Sequence, residues 1–207
     1  MFRKCRLRLA RLRRDSRGNA MLQTAASLAA LGILTATTAP VIERYMNHAK
    51  VLKSKGEIKV LASVLQLLVN DLGENGVRRS PDARDYLSLM VGAGDVPTVE
   101  HAEDHEWNEM ETVGQFNDYL VTNRPGFSPK AGGSLTFGWD GPYLQTPLGT
   151  DPWGNRYAAS IGLLSERGNL VPVIVNAGPD GVLSIPFRLR YDQMEQDFGD
   201  DIYCILR

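Results

Sequence analysis

Residues 19–42, NAMLQTAASLAALGILTATTAPVI, run for 24 positions without a charged side chain. As a helix rising about 1.5 Å per residue, the run reaches roughly 36 Å, enough to cross a hydrocarbon core of about 30 Å. It is entered from residues 1–18, where Arg3, Lys4, Arg6, Arg8, Arg11, Arg13, Arg14 and Arg17 stand against Asp15 alone. Such a basic flank stays cytoplasmic, so everything after Ile42 is expected beyond an inner membrane. Asn19, Gln23, Thr24, Ser27, Thr35, Thr37 and Thr38 are polar, and Ala and Gly are abundant. Small residues let helix backbones approach closely and polar ones supply interhelical hydrogen bonds, so the run suits helix neighbours as well as lipid. Two plainer readings stand beside this one. A cleaved secretory signal also shows a basic start and a small-residue end, but its best site here, Thr37-Thr38-Ala39, is followed by Pro40. A simple one-pass anchor is the other.

From Glu43 the pattern becomes amphipathic. Ile42, Tyr45, Met46, Ala49 and Leu52, then Ile58, Leu61, Leu65, Leu68 and Leu72, recur at helical spacing, with Glu57, Lys59, Gln66 and Asp71 off the stripe. The helix is expected to bend at Pro40, to have a soft point at Gly56 and to close at Gly73 and Gly76. Residues 73–140 are the least regular part. Asp82–Val91 and Glu103–Val121 each suit a short helix, separated by Gly- and Pro-rich loops. His101 and His105 have helical ligand spacing but no third partner, so a solvated acidic surface is the expectation there. Strand character returns at Arg156–Ile161, Leu170–Val175 and Asp201–Leu206.

The charge is unevenly spread. The whole chain carries −1 and residues 1–18 carry +7, which leaves −8 for residues 19–207. That balance argues against nucleic acid as a partner and suits an extracytoplasmic or cation-binding surface. Cys5 lies in the basic leader, so Cys204 would have no thiol to pair with once the leader is removed. No nucleophile beside a base and no phosphate-binding glycine loop is legible, and an enzyme is not expected. The segment Asp151-Pro152-Trp153-Gly154-Asn155-Arg156-Tyr157 reads structurally instead. Asp-Pro opens a turn, Gly-Asn signals a hairpin, and Trp153 and Tyr157 can pack on the helix.

Four segments in order, Gly141-Pro142-Tyr143-Leu144, Asp151–Tyr157, Gly178-Pro179-Asp180-Gly181 and Asp200-Asp201-Ile202, resemble the C-terminal region of the major pseudopilins of type II secretion systems. Arg17-Gly18 resembles the prepilin peptidase site. With Asn19 as first mature residue, Pro40 falls where pilins carry a helix-kinking proline. The resemblance covers residues 17–72 and 141–207. It implies a pilin-like α+β fold, with a long N-terminal helix packed on a small antiparallel C-terminal sheet. The parts it implies are a leader over 1–18, a transmembrane and assembly half over 19–42, an amphipathic half over 43–72, a variable insertion over 73–140 and a C-terminal sheet over 141–207.

The resemblance further implies cleavage after Gly18, methylation at Asn19 and assembly contacts through Gln23 and Pro40. The chain departs from the family at two of these positions. Gln23 stands where pilins carry Glu, which is thought to pair with a neighbour's N-terminal amine, and Asn19 replaces the usual Phe or Met. A missing carboxylate is more typical of a tip subunit.

Calcium is the implied cofactor, held by Asp180, Asp200 and Asp201 with the carbonyls of Ala177 and Val182. Calcium takes six to eight hard oxygens, which these residues are able to offer. The alternative is a plain Asp-Gly turn beside a solvated Asp200-Asp201 edge. An insertion including Ile185–Arg190 makes the loop longer than the family's.

The reading is therefore a pseudopilin, anchored in the inner membrane with its head in the periplasm. Its expected partners are other pseudopilins, the prepilin peptidase and a secretion assembly platform, not nucleic acid. A minor or tip subunit of a type IV pilus-related filament is the first alternative, and an anchored periplasmic binding domain the second.

Overall fold

The computed structural model describes residues 16–79, 87–100, 105–110, 114–130, 137–166 and 168–206. The chain divides into two units, the first ending at Asn47 and the second beginning at His48. Helix α1, Ser16–Leu72, contributes to both.

In the first unit, helix residues 20–47 are exposed all round, Leu31, Leu34 and Tyr45 among them. By length and composition this helix is apolar enough to cross a membrane. Its hydroxyls do not wait for a neighbour. Thr24, Ser27, Thr35, Thr37 and Thr38 each donate to a carbonyl three or four residues back in the same helix. Helical assignment continues through Pro40, whose ring lacks the N–H that would bond to Ala36.

In the second unit the stripe is buried. Ser54, Ile58, Leu61, Leu65 and Leu68 all lie inside, spaced three and four residues apart, so one face of α1 is fully covered. Each fully buried Leu or Ile contributes about 1.5–3 kcal/mol relative to exposure. Gly56 does not interrupt the helix. It is an ordinary helical turn on the exposed side, where a Cβ would meet nothing within 4 Å. The helix stops at Leu72 because Gly73 takes φ 75°, a conformation open to glycine, while its N–H closes the last turn on Val69 O at 2.7 Å. A single turn, α2 (Glu74–Val77), follows.

The layout is α+β, but the sheet is mixed rather than antiparallel. Strands β1 (Met90–Val91), β3 (Gly114–Gln115), β4 (Ala158–Ala159), β5 (Val173–Asn176) and β7 (Ile202–Ile205) form it in the order β3-β1-β4-β5-β7. Only β1 and β3 pair in parallel, and both come from residues 73–140, the stretch expected to be helices and loops. A second, parallel pair joins β2 (Thr98–Val99) to β6 (Val182–Leu183). The expected helix over 82–91 is therefore extended at residues 87–91, while 81–86 lie outside the described residues. Among the described residues of 103–121, two one-turn helices occur, α3 (His105–Asn108) and α4 (Phe116–Leu120), with β3 between them.

Strand alternation assigns the two faces. The row Met90, Ala159, Ile174 and Cys204 runs across the register toward α1, and the row Val91, Ala158, Val175 and Tyr203 toward a second layer. Trp107, Phe187, Leu183, Ile185 and Leu189 fill that second layer. Because both faces are covered, Val173-Ile174-Val175 reads as a continuous apolar run.

Candidate functional site

Strand β5 delivers the chain into the acidic loop. Asn176, at its end, is buried and donates through Nδ2 to Ser54 Oγ on α1, while its Oδ1 accepts from Gly178 N–H at 3.1 Å. One side chain thus ties the spine helix to the loop. Gly178 turns with φ 63°, and a Cβ there would lie 2.3 Å from the Asp200 carbonyl oxygen. Only glycine permits that approach, and it brings the two halves of the loop together.

The three aspartates expected from the sequence each bond backbone amides of the loop. Asp200 Oδ2 accepts from Asp180 N–H at 3.0 Å, and Asp180 Oδ1 accepts from Val182 N–H at 2.8 Å. Asp201 Oδ2 accepts from Ser184 and Ile185 N–H at 2.8 and 2.7 Å. Asp201 Oδ1 is buried and has no hydrogen-bond partner. Burial, opposed by those two amides and aided by Asp200 and Asp180, pushes the Asp201 carboxyl up to about 7. Ala177 is buried at the start of the loop and Val182 half-buried at its end.

The donor set suits a hard cation in kind, and Asp201 Oδ1 is an oxygen that lacks the partner burial demands. Among the described residues, however, no three Asp, Glu, His or Cys side chains gather closely enough to hold an ion unaided. Any cation here would lean on backbone carbonyls. His105 lies exposed on α3, and His101 is outside the described residues.

Residues 185–190 are not a surface insertion. Ile185, Phe187 and Leu189 are buried on alternate positions, Leu189 O accepts from Val171 N–H at 2.8 Å, and Trp107 Nε1 donates to Ile185 O at 2.9 Å. The alternation Ile-Pro-Phe-Arg-Leu-Arg was the signal for this, a period of two that marks one buried face. Asp201 therefore pins a core segment as well as facing the loop.

The Asp151–Tyr157 segment is a strap and not a hairpin. Asp151, 3% exposed, accepts through Oδ1 from Trp153 and Asn155 N–H, both at 2.8 Å. The Arg156 guanidinium then grips the carbonyls of Gly94 and Met110. Tyr157, buried as expected, donates to Glu57 on α1 at 2.6 Å, and burial together with that carboxylate raises its hydroxyl above the ordinary range. Further along α1, Asp71 accepts from Tyr143 at 2.8 Å and from Lys130. Burial first, then Asp71, pushes the Tyr143 hydroxyl up to about 12.

At the other end, Gly18 and Asn19 lie in the first turns of α1, and Gln23 is exposed one turn on. The leader before Ser16 is outside the described residues. Comparison with protein-family models, curated proteins and solved structures finds no match to this chain.

Proposed function

We propose that the chain is a pseudopilin of a type II secretion-type filament, inserted in the inner membrane with its head in the periplasm. The observation that carries this reading is the change of character along one helix. An uncharged stretch begins directly after Gly18, is exposed from residue 20 on, and continues along the same helix into a stripe buried in an α+β head. A plain anchor has no need for that continuity, whereas a subunit that stacks through its helix does. The work is mechanical. Subunits leave the membrane and exchange lipid contacts for helix contacts in a filament that helps to push substrates outward. Co-expression of the full chain with prepilin peptidase should give a smaller product, and Gly18→Ala should abolish the shift. An unchanged full-length band sinks the reading.

Gln23 favours a second reading, a minor or tip subunit. An amide accepts a hydrogen bond but does not neutralise an ammonium in a low-dielectric core, where an unpaired charge is costly. Gln23→Glu should aid polymerisation of a stacking subunit and leave a capping one unaffected.

Calcium at the Asp180–Asp201 loop is the proposed cofactor, supported by the unpartnered Asp201 Oδ1 beside Asp180 and Asp200. It would supply positive charge to three carboxylates, while Gly178 and Asn176 hold the loop closed. Millimolar calcium should raise the Tm over chelator, and Asp180→Ala should remove the rise. No shift in wild type removes the metal and leaves the filament reading standing.

A further inference from the structure

The acidic loop has to stay closed against its own charge. Asp180 and Asp200 both repel Asp201, and the hydrogen bonds of Asp180 and Asp200 run to amides of the same loop. Contacts from outside the loop therefore set its shape. Asn176 on Ser54 of α1 is one of them.

The Asp151–Tyr157 strap supplies another. A Cβ on Gly181 would meet the Asn155 amide at 3.6 and 3.7 Å, so that side chain lies in ordinary contact against the turn after Asp180. Asn155 is itself fixed by Asp151 Oδ1, which accepts its N–H at 2.8 Å. The neighbouring chain joins the same contact. Gly154 O accepts from Asp95 N–H at 2.9 Å, Asp95 O accepts from Arg156 N–H at 3.0 Å, and Thr98 N–H donates to Gly181 O at 3.0 Å.

Two residues after Asn155, Tyr157 reaches α1 and donates to Glu57 Oε2 at 2.6 Å. Glu57 stands three residues from Ser54, which puts both on one side of the helix. One turn of α1 thus holds the loop through Ser54 and the strap through Glu57, and loop and strap meet again at Gly181 and Asn155. The circuit is closed. A phenol on a carboxylate makes a charge-assisted bond, stronger than a neutral one, and Tyr157 is 1% exposed, so water does not take its place.

We infer that Tyr157 and Asn155 are positioning residues for the acidic loop: the strap, bracketed to α1 at Glu57, sets Asn155 against Gly181 and holds the loop shut. The inference deepens the calcium reading by naming what preorganises that loop, and it rests on calcium only in its second measurement.

A matched phenol provides the control. Tyr143 donates to Asp71 on the same helix, in the way that Tyr157 donates to Glu57, but it belongs to a different segment. Hydrogen exchange is read at the Gly178, Asp180 and Ser184 amides of the full chain in detergent, with chelator present. Tyr157→Phe should speed that exchange about tenfold and Tyr143→Phe less than about twofold. Glu57→Ala, which leaves the buried phenol in place, should act as Tyr157→Phe does, and Glu57→Gln, which keeps an acceptor, should restore most of the protection. Equal acceleration in the two phenylalanine variants overturns the inference, because it reports general loosening of the head. Unchanged exchange in Glu57→Ala overturns it as well. In calorimetric titration with calcium alone, Tyr157→Phe and Asn155→Ala should each bind about tenfold more weakly than wild type, with Tyr143→Phe unchanged. Wild-type affinity in Tyr157→Phe or Asn155→Ala overturns the inference while calcium stands. A wild type that binds no calcium removes the metal, and the exchange comparison then decides the inference by itself.

Discussion

Leu31 and Leu65 belong to one helix and meet opposite surroundings. Leu31 is 59% exposed and Leu65 fully buried. Leucine content does not distinguish the two stretches. Charge placement does. Residues 20–42 carry no charge on any side, whereas Lys53, Lys55 and Lys59 occupy the outward turns between the buried positions farther along. A helix that is apolar all round needs a non-aqueous neighbour, while one with a charged face needs only a core on the other side.

The widest test of that contrast is a matched truncation. Leu65→Ala should cost about 2–5 kcal/mol in thermal unfolding, from lost burial and the cavity left behind. Leu31→Ala should change the head's stability by less than about 0.5 kcal/mol, as exposed positions do. Equal losses would mean that both stretches are folded into one core, and would break the contrast. A smaller effect tests the bridge from α1 to the acidic loop. Asn176→Ala leaves buried groups at Ser54 and Gly178 without their partner and should cost about 1–3 kcal/mol. If the same variant also abolishes a calcium-induced Tm rise, the loop depends on the helix for its closure.

The smallest expected effect is a pH slope. Folded Asp201 keeps its proton up to about pH 7, against a normal value of 3.8. Between those values the folded state binds more protons than the unfolded state. The stability this confers is complete at the acid end and is lost as pH rises through about 7. Wild type without calcium should therefore lose Tm from pH 5 to 8 relative to Asp201→Asn, and calcium should flatten the difference. A rising slope would show that the carboxylate is held ionised by the fold.

Much of the spine was legible in the chain. The stripe Ile58, Leu61, Leu65 and Leu68 is local information, since helical spacing depends on nothing outside the helix. The run at 173–175 was legible for a similar reason, as β-branched residues without alternation suit a strand covered on both faces. The two-residue strands β1 and β3 were not. Met90-Val91 and Gly114-Gln115 are too short to carry a period, and their extended form depends on each other and on Ala158-Ala159. The segment 185–190 carries a period of two in Ile185, Phe187 and Leu189, a local signal of one buried face.

At the candidate site the division follows the same line. Residue types alone put three aspartates and a Gly-Pro-Asp-Gly turn in the C-terminal part, and an uncharged run after Gly18. Distant pairing decided what they do. Gly178 must lie against the Asp200 carbonyl, Asn176 must reach Ser54, and Asp201 must spend one oxygen on Ser184 and Ile185 while burying the other. Periodicity is written in neighbouring residues and survives without tertiary contacts. Desolvation of a carboxylate, or the absence of a partner for it, exists only once segments far apart in the chain have closed around it.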